Sequence, residues 1–309
     1  MKLSIIDLDV NTAVSEFYDL ALYSSGYERR SRFIPPMIKG ASKAVAIGFS
    51  DHINELDRPE NDSYFRSLTG SDVLIAEPND DAVISAILKD ILGKNDNAKI
   101  FVDISSMSRS WYAAVLNWAR FRSGLRNIEI VFGYSHGSYS NNEFPSRVIS
   151  GISCISGCEG QPGPTRKSVA VFGLGYDQHA PLAVLDYLEP DVVYAYYGTM
   201  HEKHEHLNRA LEVNKAFIDH VSGSVVTFNT LSVREAYLGI IELSSAYIRD
   251  SNVILIPLGP KTHVLGSMLA AMRFADIACL HVSGRFRTPV NIEASGDIAA
   301  CRVTIERSR

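Results

Sequence analysis

Two short segments bring together the side chains that hold an anion. ISSMSR, residues 104–109, follows the apolar run KIFVD. Ser105, Ser106 and Ser108 supply hydroxyls, Arg109 a guanidinium, and the first turn of the helix expected to follow supplies free N–H groups, a set suited to a phosphate or carboxylate. LGPKTH, residues 258–263, follows the apolar run NVILIP. There Gly259 permits close backbone approach, Lys261 is a point charge and His263 is a hydrogen-bond donor or general acid–base group. Asp103 precedes the first segment and, with Glu28 beside Arg29 or Arg109, forms a possible acid–base pair, although a carboxylate tying a loop to an arginine is the commoner arrangement. The catalytic candidates are therefore His263 and Asp103. The plainer alternative is that the hydroxyls cap helices and the glycines permit turns.

These segments are not isolated. SSGYERR, residues 24–30, and GLGYDQH, residues 173–179, each follow an apolar run and share Gly-Tyr-acid, with Gly26 and Gly175 149 residues apart. Gly26, Tyr27, Arg29, Gly175 and Tyr176 join Ser105, Ser106, Arg109, Gly259 and Lys261 as ligand-binding candidates, the two tyrosines being able to stack on a base. Further pairs recur in the same order: AVAI with VVYAYY, SDVLIAEP with SVVTFNT, each of these last two preceding an amphipathic run, KIFVD…ARF with NVILIP…MRF, and IEIVFGYSHG with IACLHVSGRF. One unit is written twice.

Short apolar runs alternating with helical periodicity imply parallel sheets covered on both faces. The fold class is α/β, two tandem Rossmann-like domains with mainly parallel sheets arising by internal duplication. The expected boundaries are 1–160 and 161–309, with a linker rich in Gly and Pro near GCEGQPGPTRK and a C-terminal β-hairpin turning at Ser295-Gly296-Asp297. Pro35-Pro36 should break the first helix of the first copy, and the helix within residues 50–71 cannot be delimited. Trp111, Tyr112 and Trp118 are expected in helix core. In open parallel sheets ligands sit beyond the carboxyl ends of the strands, where all the candidates above fall, and a cleft shared by ISSMSR and LGPKTH is expected.

Composition narrows the function further. A net charge of −5 over 309 residues disfavours extensive binding to duplex DNA. No membrane span or signal peptide is expected, and four cysteines without a framework point to a cytoplasmic protein. GxGxxG and GxxxxGK[ST] are absent, so no standard dinucleotide or P-loop cofactor site is expected. HEKHEH, residues 201–206, reads as a solvated polar face rather than a metal site, and Cys154 with Cys158 as plain linker cysteines.

Two Rossmann-like units with hydroxylic and basic strand tips resemble the CARF domains, the CRISPR-associated Rossmann-fold sensors of cyclic oligonucleotides. The resemblance is architectural and spans most of the chain. It implies that Ser105, Ser106 and Arg109 from one half, and Gly259, Lys261 and His263 from the other, face a small anionic nucleotide, with a place in antiviral defence. Here the copies are fused and no separate effector domain remains. The readings are a nucleotide-binding protein that holds, and in one version hydrolyses, its ligand; a non-catalytic regulatory subunit with a protein partner; and a small-molecule hydrolase or transferase using Asp103 and His263.

Overall fold

The structure is a computed structural model that describes residues 2–93, 97–122, 127–138, 147–163, 166–200, 204–223, 225–286 and 290–306. The chain divides into two compact units, residues 1–141 with 289–309, and residues 142–288. Both are α/β.

In the first unit the buried, β-branched and aromatic runs form β1 (Lys2–Leu8), β2 (Phe17–Ser25), β3 (Gly40–Phe49), β4 (Leu74–Ala76), β5 (Asn97–Asp103) and β6 (Asn127–Ser138). Between them lie α1 (Val10–Ser15), α2 (Arg58–Thr69), α3 (Asp81–Leu92) and α4 (Arg109–Phe121). Asp9 starts α1 by accepting hydrogen bonds from the N–H groups of Asn11 and Thr12. After β2, where a helix would otherwise form, Pro35 and Pro36 leave only short 3-10 turns.

The second unit contains β7 (Arg147–Cys154), β8 (Lys167–Leu174), α5 (Ala180–Leu188), β9 (Val192–Thr199), α6 (His204–Val213), α7 (Lys215–Ile218), β10 (Val226–Asn229), α8 (Val233–Ser244), β11 (Ser251–Pro257), α9 (Lys261–Arg273) and β12 (Ile277–Phe286). The last strand of the chain, β13 (Glu293–Glu306), returns to the first unit.

Among the described residues the first sheet runs β1-β13-β6-β5-β2-β3-β4 and the second β10-β9-β8-β11-β12-β7. Read from the short edge strand inwards, both follow one order, third, second, first, fourth, fifth, then an antiparallel sixth. The first five strands of each are parallel. The duplicated pattern in the sequence is thus matched by a duplicated sheet topology. Each has its own core: Tyr18, Tyr23, Phe65, Phe101 and Val131 in the first, and Phe172, Val184, Tyr197, Phe217 and Ile256 in the second. Trp111 and Tyr112 are fully buried, as expected, while Trp118 is only half-buried.

Two expectations are corrected by the sixth strands. Residues 293–306 are not a hairpin on the second sheet but one strand inserted antiparallel between β1 and β6 of the first. Ser295-Gly296-Asp297, which has the chemistry of a turn, forms a bulge instead: the register to β6 shifts between Ala294 and Ile298, and Gly296 takes φ 92°. RVISGISC, expected to lie between the domains within 1–160, is β7 and pairs antiparallel with β12. The strand that follows β6 in sequence therefore completes the second sheet, and the strand that follows β12 completes the first.

Candidate functional site

The carboxyl ends of β2, β3, β5 and β6 meet the start of α4 in the first unit. Asp103, buried at the end of β5, accepts a hydrogen bond from the N–H of Ser105 at 2.9 Å, which turns the chain out of the strand. Ser105 Oγ in turn accepts the N–H of Ser135 on β6 at 2.8 Å. Ser108 is the N-cap of α4, its Oγ accepting from Trp111 N–H at 3.2 Å. Trp111 stacks on Phe49 with ring centroids 4.6 Å apart and donates its indole N–H to the Glu77 carbonyl. The plain capping role thus holds for Ser108, and a loop-pinning role for Ser105.

Three polar atoms in this group are different. Ser106 Oγ, Arg109 Nη1 and Ser135 Oγ are buried and have no hydrogen-bond partner among the described residues. Ser106 also packs on Gly26, where an added Cβ would lie 2.9 Å from that of Ser106. The small size of Gly26 therefore serves close approach of the β2 and β5 loops.

Arg58, Asn61 and Asp62, which sequence reasoning did not single out, support this strand end from α2. Arg58 is fully buried. It donates Nη1–H to the Phe49 carbonyl at 2.7 Å and Nε–H to Asp62 at 2.8 Å, and Asp62 also accepts the Ser25 hydroxyl at 2.5 Å. Asn61, also fully buried, donates Nδ2–H to the carbonyls of Gly26 and Glu28 at 2.7 and 3.0 Å. The second unit repeats this contact, Asn214 donating Nδ2–H to the Gly175 carbonyl at 2.8 Å. The signal was present, since Asn214 lies 153 residues after Asn61, the spacing shared by Arg120 and Arg273.

Arg29 has another task. Its guanidinium pairs with Asp57 at 2.8 Å and Glu293 at 3.0 Å, and its N–H donates to Asn291 Oδ1. Asp57 also holds Arg32 and the Asn291 amide. Arg29 is thus a latch on the residues that lead into β13. Glu28 pairs with Arg30 at 2.5 Å rather than with Arg29. Tyr27 packs edge-on against His52, centroids 5.3 Å apart, and burial followed by the nearby Glu28 pushes its phenol up to about 12.

The hydrogen bond from Arg29 holds the Asp57 carboxyl below its ordinary range, against the opposing effect of desolvation. A carboxyl depressed in the folded state stabilises fully above its unfolded value of about 3.9 and loses that contribution as pH falls through the folded value. Asp57→Asn is expected to flatten the acid limb of stability as pH falls below about 4. Urea midpoints measured across that range check this, and parallel profiles for the two proteins would refute it.

In the second unit the glycines again serve packing. An added Cβ at Gly175 would lie 2.8 Å from the Leu258 carbonyl oxygen, and one at Gly259 2.9 Å from that of Leu174. Leu258 N–H donates to the Gly173 carbonyl at 2.7 Å. The space that a glycine leaves for a ligand in dinucleotide folds is filled here by the chain itself. Lys261 opens α9, and Tyr176 packs partly buried against the core. His263 is fully buried between Tyr196 and Phe228, with Nε2 bonded to the Asn229 carbonyl at 3.1 Å. Desolvation pushes its pKa down to about 4, so the ring is neutral. A general acid–base group must reach a substrate; in this structure the His263 ring is enclosed by protein.

HEKHEH lies outside the described residues, 201–203 altogether and 204–206 in their side chains. Among the described residues no group of His, Cys, Asp and Glu is arranged to hold a metal ion, and no helix is long and apolar enough to cross a membrane. Comparison with known proteins adds no relative, since no family model and no curated protein sequence matches the chain.

Proposed function

We propose that the protein binds a small phosphorylated nucleotide at the strand ends of its first unit, and that it acts as a sensor or regulatory subunit rather than as a hydrolase. One observation carries the reading. Ser106 Oγ, Arg109 Nη1 and Ser135 Oγ are buried without a hydrogen-bond partner among the described residues where β5 and β6 meet the first turn of α4, a helix of 13 residues. Buried polar groups ordinarily have partners, and a hydroxyl, a guanidinium and free helix N–H groups together match the oxygens of a phosphate. The regulatory half of the proposal rests on the candidate acid–base residues: His263 is enclosed, and the Asp103 carboxylate is engaged by its own loop.

Arg109→Ala is expected to weaken nucleotide binding tenfold or more, since a charge-assisted hydrogen bond is worth about 1.5–3 kcal/mol. Little change in thermal midpoint is expected, because Arg109 is only half-buried. Titration calorimetry with cyclic and linear oligoadenylates and with mononucleotides checks both parts. Wild-type protein that binds none of them while co-purifying with a protein partner would replace this reading with that of a non-catalytic interaction subunit.

A further inference from the structure

We infer that the two repeats are reciprocal strand-exchange partners, the sixth strand of each being the element by which one half of the chain captures the other. The connectivity carries this. β6 is followed in sequence by β7 and β12 by β13, yet β7 pairs with β12 and β13 pairs with β6. Had each repeat kept its own strand, β7 would lie beside β6 and β13 beside β12, each an antiparallel neighbour formed by a local reversal.

The exchanged strands are integral to the sheets that receive them. β13 is flanked on both sides, Val303 facing Ile5 of β1 and Ile130 of β6 in register. Ala299, Ala300, Cys301, Val303 and Ile305 are buried there. At its start, Asn291 and Glu293 are latched by Arg29 and Asp57. β7 pairs with β12 from Cys154 opposite Leu280 to Arg147 opposite Phe286. The chain just beyond β7 is fixed as well, with Ile155 N–H donating to the Cys279 carbonyl and Cys279 N–H to that of Cys158, each at 2.8 Å. A single repeat cut from this chain would lack its own sixth strand and carry one that fits the other repeat. The partner that each half fits is therefore a second copy of the same unit, supplied here within one chain.

The test is a cut in the intact, folded protein. A specific protease site is placed between Gly163 and Arg166, after β7, so that each fragment donates one strand to the sheet of the other. After complete cleavage the fragments are expected to co-elute at the volume of the uncut chain, with the amides of residues 298–306 exchanging as slowly as before. Separate elution under native conditions would overturn the inference. So would co-elution with fast exchange across residues 298–306, because the fragments would then be held by something other than β13.

Discussion

Ending the chain after Thr288 is expected to unfold the first unit while the second keeps its cooperative transition. The truncation removes β13, leaves β1 without the partner it pairs with from Lys2 to Leu8, and opens β6 as a bare edge. Burying one Val or Ile side chain stabilises by about 1.5–3 kcal/mol. Val303 and Ile305 together therefore represent about 3–6 kcal/mol, against the 5–15 kcal/mol or so by which a domain is typically stable. The lost ladder and the alanines in the same strand add to this. Hydrogen exchange resolved by peptide checks the result: residues 17–49 and 97–138 should lose protection, while 167–199 and 251–286 keep it. Full protection in both sets would refute it.

The second large effect belongs to Arg58. Arg58→Ala is expected to destabilise the first unit by about 3–5 kcal/mol, the usual cost of removing one partner from a buried ion pair. Asp62 would retain only the Ser25 hydroxyl, the Phe49 carbonyl would lose its donor, and the space that Gly48 leaves for the guanidinium would become a cavity. Arg58→Lys is expected to recover less than half of the loss, because an ammonium on a flexible stem cannot serve Asp62 and the Phe49 carbonyl with the geometry of the fork. Urea denaturation of the two variants decides the matter, and a loss below about 1 kcal/mol for alanine would show the network to be dispensable.

The parallel strands were legible because they are buried, near-continuous apolar runs, and the two copies could be aligned because those runs recur in one order. The break after β2 was legible in Pro35-Pro36. α2 was not, for a specific reason. Its sequence RPENDSYFRSLT buries Arg58 and Asn61 along with Phe65, so the inward face carries polar groups and a period based on apolar residues misses it. His263 shows the opposite case. It sits in a segment rich in chemistry, but α9 is buried continuously from Thr262 to Met272, and packing on every side takes the ring out of reach. The sixth strands were hidden because sequence patterns report local neighbours. The Ser-Gly-Asp of β13 has the same composition in a bulge as in a turn, and the serines and glycines of β7 resemble linker until a partner strand pairs with them.

The exchange of sixth strands also bears on the order in which the chain is made. Domains usually fold as units, the N-terminal one first as synthesis proceeds. Here β7 has already been synthesised when β8 to β12 emerge, so the second sheet has every strand once Phe286 is out. The first sheet must wait for residues 293–306, near the end of the chain, before β1 and β6 meet their shared neighbour. Pairing across nearly the full length of the chain is also slow to close. The half that is synthesised first is therefore the half that finishes last, and until then the facing edges of β1 and β6 stay open for a chaperone or a neighbouring nascent chain to engage.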